Sequence, residues 1–499
     1  MVYVPVGKSK ILVPQSSSYW TTSPENPVYQ GRRIAYLQSP DATYLPNLEQ
    51  QQASSSDLVR NEPISSAAIQ TMVHGTVGSG MRPESQIDHQ TAKISEKQAS
   101  ETQKKAEFLF NYWAANETCD LAKIHTFWEL ENLAFNSSLE FGDCFPVRRF
   151  QKDRKPYGLC LQLIESMRVE TPPEESRNEN IRAGVKFDRR TGERKSIYVR
   201  EHDEYGMDYS AVKYREIKVR DKKGYPQVLF IHEPKRIGET RGIPYLSVIT
   251  SVIKSLGKYS EAEVTAALHQ AFIAFVTKTE GGHDVLSDDG FVNTSDPDKP
   301  VIPRELKAFT NLHIGTDEDI KTLEPNRPNK NFEAFFAPMM KIVGAQLQIP
   351  AQVILMAFDA SYTASMAALE RAFEVFKIKR KRLVSQFHRH VWAWFWDESV
   401  ARGYLHAPGY WSDPLVRAAF QGVMWVGDPC IQLDRWKAAK AARELWELGI
   451  ISKKSLTQML TGSNYERVVA QRAKERELEP DTQAGQELSA KEQEDFEKE

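Results

Sequence analysis

The feature that most constrains this chain is a pair of helix-period stretches too long for an ordinary globular helix, with a turn-rich excursion between them. Over 245–279, Ile249, Val252, Ile253 and Leu256 form one apolar stripe, and Val264, Leu268, Phe272 and Phe275 continue it. At ~1.5 Å per residue such a helix is on the order of 50 Å long. Residues 280–328 are dense in Gly, Asp, Pro and Asn and read as loops and short strands. A helix is expected again over 331–348, with Pro338 kinking it or marking its start. A loop over 348–361 contains Pro350, and a rod of roughly 60 Å follows over 363–402, stopped by Gly403. Long helices that cannot bury an apolar face within their own chain bury it against neighbours.

The rest of the chain frames these rods. Residues 1–56, rich in Ser, Gln, Pro and Tyr, read as an extended arm. Pro63 suits a first helical turn, and Ile64, Ala67, Ala68, Thr71 and Met72 share a face after it. Further helices are expected over 100–115 and 120–137. Strand-like runs at 159–164, 181–187, 196–200, 211–219 and 227–232, separated by turns, predict a β-rich lobe. Three short helices should close the chain. Asp434 caps the first and Gly449 ends it. Ser452 and Gly462 bound the second, and Ser463 with Glu466 suggests a capping box for the third. A charged tail covers 480–499.

Composition narrows the function. The formal net charge is −2, which gives no sign of a general polyanion binder. Cys119, Cys144, Cys160 and Cys430 are scattered without a C-x-x-C pair, so neither a zinc site nor a disulfide framework is expected. Catalytic motifs are missing. Gly75 to Gly80 has phosphate-loop spacing, but Met81 and Arg82 stand where Lys and Ser or Thr are needed. His388 and His390 diverge on a helix and cannot chelate one ion. Asp57, Asp120, Asp143 and Asp188 read as cap or turn carboxylates. No enzyme activity, metal or cofactor is expected.

Five short matches, in order, carry a resemblance. They are D-L-V-R-N at Asp57, Leu58, Val59, Arg60 and Asn61, with Val77-Gly78 after a helix; R-A-G-V at 182–185; H-E-P…E-T-R-G at 232–242, including Arg241 and Gly242; Ile349-Pro350, then Ser361-Tyr362 opening the rod; and G-x-x-S at 449–452 followed by Gly462. Together they span about 53–470, and the chain resembles the portal proteins of lambda-type tailed phages. Two places depart from the family pattern: Pro338 lies in an expected stem helix, and 432–435 differ from the usual I-D-P.

The resemblance implies an α+β portal fold, with an α/β wing, long stem and spine helices, a small clip insertion and a helical crown. It maps 1–56 to an N-terminal arm, 57–244 to the wing, 245–279 and 329–348 to stem helices and 280–328 to the clip. Residues 349–362 become a tunnel loop, 363–432 the spine helix and connector, 433–479 the crown, and 480–499 a charged tail. It implies a dodecameric ring at a capsid vertex that conducts double-stranded DNA. Implied partners are the terminase large subunit, the major capsid protein with its scaffold, and a head-completion or neck protein. The rival classes are a DNA-processing enzyme and another head–tail connector.

A channel that passes DNA must meet phosphates without gripping them, since each neutralised phosphate adds affinity. Candidate channel residues are Lys254, Lys258 and Lys341 on the stem, with Glu261 and Glu263 as acidic neighbours, and Gln352, Met356, Phe358 and Asp359 in the loop. For the stem residues a solvated helix face is the equal alternative. For the loop the alternative is that Ile354, Leu355 and Phe358 pack inward. The basic run 377–382 reads as structural pairing between wings in preference to a nucleic-acid patch. Trp392, Trp394, Phe395 and Trp396 read as core.

Overall fold

The computed structural model describes residues 2–6, 9–13, 38–201, 213–278, 310–314, 331–358, 361–430 and 435–478. β1 (Val2–Val6) and β2 (Ser9–Val13) pair antiparallel. Helix then begins at α1 (Pro40–Tyr44), where Ser39 accepts from the Ala42 N–H, and continues in α2 (Leu48–Asn61) and α3 (Pro63–Thr76). The extended arm expected through residue 56 is corrected here, because 40–44 and 48–56 are helical. The buried face of α2 mixes Leu48 and Leu58 with Gln52 and Ser55, so no apolar stripe announces it. Gln52 satisfies its buried amide by donating to the Phe141 carbonyl at 2.9 Å and to Ser166 Oγ at 2.7 Å.

Next come β3 (Arg82–Ser85), α4 (Glu96–Ala114) and α5 (Phe127–Glu140). Reciprocal capping boxes start both helices, Ser95 with Gln98 and Thr126 with Glu129, which moves each start from its expected place. The β-rich lobe holds β4 (Asp143–Phe150), β5 (Leu159–Glu165), β6 (Ile181–Arg182), β7 (Val185–Phe187), β8 (Arg194–Arg200), β9 (Tyr214–Lys218) and β10 (Ile231–His232). They form two antiparallel sheets, ordered β10-β4-β5 and β6-β7-β8-β9. β4 is the strand that the sequence pattern did not reveal. Phe145, Val147, Ile164, Val185, Ile197 and Val199 pack between the sheets as a small separate core.

The first long helix is shorter than its stripe suggested. α6 (Thr250–Phe272) spans about 34 Å, and the chain passes directly into β11 (Ile273–Lys278), paired in parallel with β12 (Thr310–Ile314). The run Ile273-Ala274-Phe275-Val276-Thr277 is rich in β-branched residues and takes the strand pairing over another helical turn. Most of the 280–328 excursion lies outside the described residues. α7 (Asn331–Leu347) carries Pro338 inside it and leads to α8 (Ala351–Ile354).

The rod is α9 (Tyr362–Leu383), one π turn (Val384–His388) and α10 (Arg389–Ala401), stopped at Gly403 with φ +72°. α11 (Pro414–Phe420) follows, then β13 (Val423–Val426), antiparallel to β3. α3, α4, α5 and the rod enclose the main core, centred on Phe110. Its ring lies 5.2–5.6 Å from those of Trp113, Phe127, Trp392, Phe395 and Trp425. Trp394 and Trp396 are buried too. Gly75 serves this packing, because a Cβ there would stand 2.3 Å from the Phe376 ring.

α12 (Arg435–Glu447), α13 (Lys453–Thr461) and α14 (Tyr465–Leu478) close the described chain. Ser452 caps α13, and Gly462 ends it at φ +65°. The capping box expected from Ser463 is corrected. Asn464 Oδ1 accepts instead from the Glu466 and Arg467 N–H groups, at 2.9 and 3.4 Å. Asp434 lies outside the described residues.

Candidate functional site

The approach to α6 is held by the segment 239–242. Glu239 accepts from the backbone N–H of Lys235 (2.7 Å) and of Arg236 (3.0 Å). Thr240 donates to Asp41 through its N–H (2.9 Å) and its hydroxyl (2.7 Å). Arg241 is almost wholly buried. It donates to Asp143, to the carbonyls of Val169 (2.7 Å), Ala183 (2.8 Å) and Ser166 (2.9 Å), and to Ser166 Oγ (2.8 Å). Gly242 donates to Asp143 at 2.9 Å, and a Cβ on it would stand 1.8 Å from the Gly142 carbonyl oxygen.

Asp143 is therefore not the turn carboxylate that its sequence context suggested. It is the buried partner of a saturated guanidinium. Burial works against its charge, but Arg241, Ser166 and the Gly242 N–H together hold its carboxyl below the usual value. Burial pushes the Tyr44 phenol above its ordinary value, and Tyr44 accepts from the Arg241 N–H at 2.9 Å. The R-A-G-V match is also structural. Ala183 (φ +45°) and Gly184 (φ +80°) make the two-residue turn between β6 and β7 and present the Ala183 carbonyl to Arg241.

From this hub α6 and α7 run as a pair. Ile249, Ile253 and Leu256 are buried with Met340, Val343 and Leu347, and Tyr245 donates to the Leu347 carbonyl at 2.5 Å. Farther along, Tyr259 stacks on Phe332 (5.7 Å) and meets Phe335 edge-on (4.9 Å). Beyond that point the α6 stripe is uncovered: Val264 is 60% and Leu268 52% exposed, and Phe335 and Ile342 are exposed on α7. Lys254 reaches Asp57 of α2 at 3.9 Å, while Lys258, Glu261 and Lys341 are exposed.

The loop after α7 is made by backbone constraints. Gln348 has φ +59°, Pro350 precedes α8, and a Cβ on Gly344 would stand 2.6 Å from the Ile349 carbonyl oxygen. Val353 and Ile354 turn inward. Leu355, Met356 (φ +52°) and Phe358 do not pack in, and Met356 is 74% exposed. Gln352 is half-buried, Asp359 lies outside the described residues, and Tyr362 opens α9 exposed, behind the Ser361 cap. The described tip is thus apolar and uncharged.

The remaining signature residues hold the frame. Asn61 donates to Asp57 at 2.8 Å, with Arg60 exposed beside them at the end of α2. Gly78 (φ +61°) turns the chain so that Ser79 donates to Asp428 through N–H (2.7 Å) and hydroxyl (2.9 Å). Four residues of the basic run of α9 find partners within the chain. Lys379 and Arg382 bind Glu233, Arg380 donates to the Gly75, Thr76 and Asp428 carbonyls, and Lys377 meets Glu374. Burial disfavours the Glu233 charge, but these two cations hold its carboxyl below the ordinary value.

Sequence reasoning missed the roles of Asp428, Asp143 and Glu398, each a carboxylate that satisfies backbone or guanidinium donors far away in sequence. It also missed the buried His388–Glu131 pair, whose Nε2 and Oε1 stand 2.9 Å apart. Only its place on the stripe of Phe127, Leu130, Ala134 and Phe135 could have flagged Glu131. Among the described residues there is no cluster of three metal-ligating side chains, and no helix is long and apolar enough to cross a membrane.

A helix pair that leaves an ionic hub with half-exposed apolar residues, beside an exposed apolar loop, is the kind of surface carried by proteins that associate with others. The model of the phage portal protein, lambda family, matches residues 30–380, and the chain belongs to that family. It is 21% identical over 465 residues to the portal protein of Escherichia phage N15, covering 88% of this chain and 86% of that protein. It is 21% identical over 459 residues to portal protein B of Escherichia phage lambda, covering 88% and 85%. Among solved structures, a chain from the neck of a native GTA particle, computed with C12 symmetry, aligns at a TM-score of 0.41 and 12% identity. That alignment covers 81% of this chain and 92% of the other.

Proposed function

We propose that this portal protein acts as one subunit of a ring, dodecameric in the virion, at the unique capsid vertex. The ring conducts double-stranded DNA during packaging and ejection. It also provides the docking platform for the terminase large subunit and, later, for a head-completion or neck protein, with scaffold and major capsid protein around it. The subunit is structural and not an enzyme. It assembles in the host cytoplasm and remains in the virion.

In this reading α6 and α7 are the stem, 280–328 the clip and 349–362 the tunnel loop. Residues 57–244 and 363–432 form the wing, and 433–479 the crown. Lys254, Lys258 and Lys341 offer scattered cations on the stem, while Met356 and Phe358 touch DNA without an ionic grip.

The carrying observation is the exposed second half of the α6 stripe. Val264 and Leu268 continue the line of Ile249, Ile253 and Leu256 but remain more than half exposed. Fully burying a side chain of this size stabilises by about 1.5–3 kcal/mol, so covering the part of Val264 and Leu268 still in water would give each subunit interface roughly half of that per residue.

Negative-stain imaging with light scattering tests the reading, on protein co-expressed with its scaffold and capsid protein. Rings with a central hole are expected. Monomers or dimers alone at high concentration would sink the proposal, and magnesium-dependent cleavage of DNA by the pure protein would favour a DNA-processing enzyme.

A further inference from the structure

The near-neutral balance of the whole chain hides a local excess. Residues 435–478 hold ten Lys or Arg against five Asp or Glu, and 479–499 hold eight acidic residues against two lysines. In α12–α14 the side chains of Arg443, Lys453, Arg467, Arg472 and Lys474 are exposed, and Ala442 is the buried residue among those described. Aromatic rings share this surface. Trp436 is 66% exposed, Trp446 is exposed, and Lys453 Nζ lies 4.4 Å from the Trp446 ring centroid. Arg443 lies one turn before Trp446 and pairs with Glu447 at 2.7 Å.

The helices themselves do not account for these cations. Lys453 and Lys454 are the first two residues of α13, where positive charge opposes the helix dipole. On α14, Arg467 and Lys474 are seven residues apart and so share a face, with Gln471 between them. Lys454 stands apart from the other cations, because Glu84 lies close enough to it to feel its charge.

We propose that α12–α14 form a second DNA-contacting surface, distinct from the channel candidates on α6, α7 and the following loop, that tracks the phosphate backbone of double-stranded DNA. The surface carries charge complementary to a polyanion, and contacts to phosphates carry no sequence information, so binding without sequence preference is expected. It does not require ring closure, so its failure would leave the ring reading standing.

The test uses the full chain and covalently closed circular duplex DNA, which cannot thread a closed ring and so reports on surfaces outside the channel. The variant carries Lys453→Gln, Arg467→Gln, Arg472→Gln and Lys474→Gln, with its fold checked by melting temperature. Binding by the unaltered chain is expected to weaken at least tenfold in the variant. The log–log salt slope should flatten by about 0.9 for each phosphate that is no longer neutralised. Lys104→Gln with Lys105→Gln, exposed lysines of α4 outside both candidate surfaces, should leave both quantities unchanged. The proposal is overturned if the unaltered chain does not bind the circle, or if the four-site variant binds it with the same affinity and slope.

Discussion

Arg241 meets Asp143 through two parallel contacts, Nε to Oδ2 at 2.7 Å and Nη2 to Oδ1 at 3.0 Å, with both side chains almost wholly out of water. This bidentate geometry uses the planar fork of the guanidinium, and three backbone carbonyls take its remaining donors. The pair joins β4, the 166–184 stretch and the segment leading to α6, so it fixes where the helix pair leaves the body of the protein.

Removing either partner should therefore be costly. Arg241→Ala leaves Asp143 buried and unpaired, and a loss of roughly 3–5 kcal/mol is expected from urea unfolding. Arg241→Lys keeps the charge but not the fork and should recover only part of it. An Arg241→Ala protein as stable as the parent would show that the hub is dispensable.

Acid should act through the same group. The carboxyls of Asp143 and Glu233 sit below their ordinary values in the folded protein. Their contribution is thus full above the unfolded-state carboxylate value of about 4 and is lost as pH falls from there through the lower folded-state values. Unfolding free energy measured from pH 7 downward should drop in that window. The drop should be shallower in Asp143→Asn, after allowance for that variant's lower starting stability.

Two glycines separate steric from conformational cost. Gly242→Ala places a Cβ 1.8 Å from the Gly142 carbonyl oxygen, so the backbone must move and the protein should express insolubly or melt far lower. Gly192→Ala meets nothing within 4 Å but sits at φ +71°, so it should cost only about 1–2 kcal/mol. Thermal melts of the two variants side by side check the contrast.

The exposed stripe should matter to assembly and not to the subunit. Val264→Lys and Leu268→Glu change residues that are more than half exposed, so the melting temperature of the isolated subunit should fall little, by about 1 kcal/mol or less in stability. Ring formation, read by light scattering and imaging, should be abolished.

The loop tip offers the complementary test. Met356→Glu with Phe358→Glu adds charge at exposed positions that do not pack into the core. Rings should still form, while DNA packaged per particle falls. Normal packaging by the variant would remove the loop from the DNA path.

The sequence by itself determined that α3 to α7, the rod and the three closing helices exist, that Gly403, Gly449 and Gly462 stop the helices before them, and that the chain carries the portal signature, because periodicity, caps and positive-φ turns are local. It also indicated correctly that Trp392, Phe395 and Trp396 are core. Only the tertiary structure decided why Arg241 and Gly242 matter, because their partners Asp143 and Gly142 lie about a hundred residues away and the contact is a matter of sub-ångström fit. The same holds for α2, whose buried polar face needs Phe141 and Ser166 before it makes sense, and for the end of α6. There the apolar stripe runs on past Phe272, but strand pairing with a segment distant in the chain outweighs helical continuation.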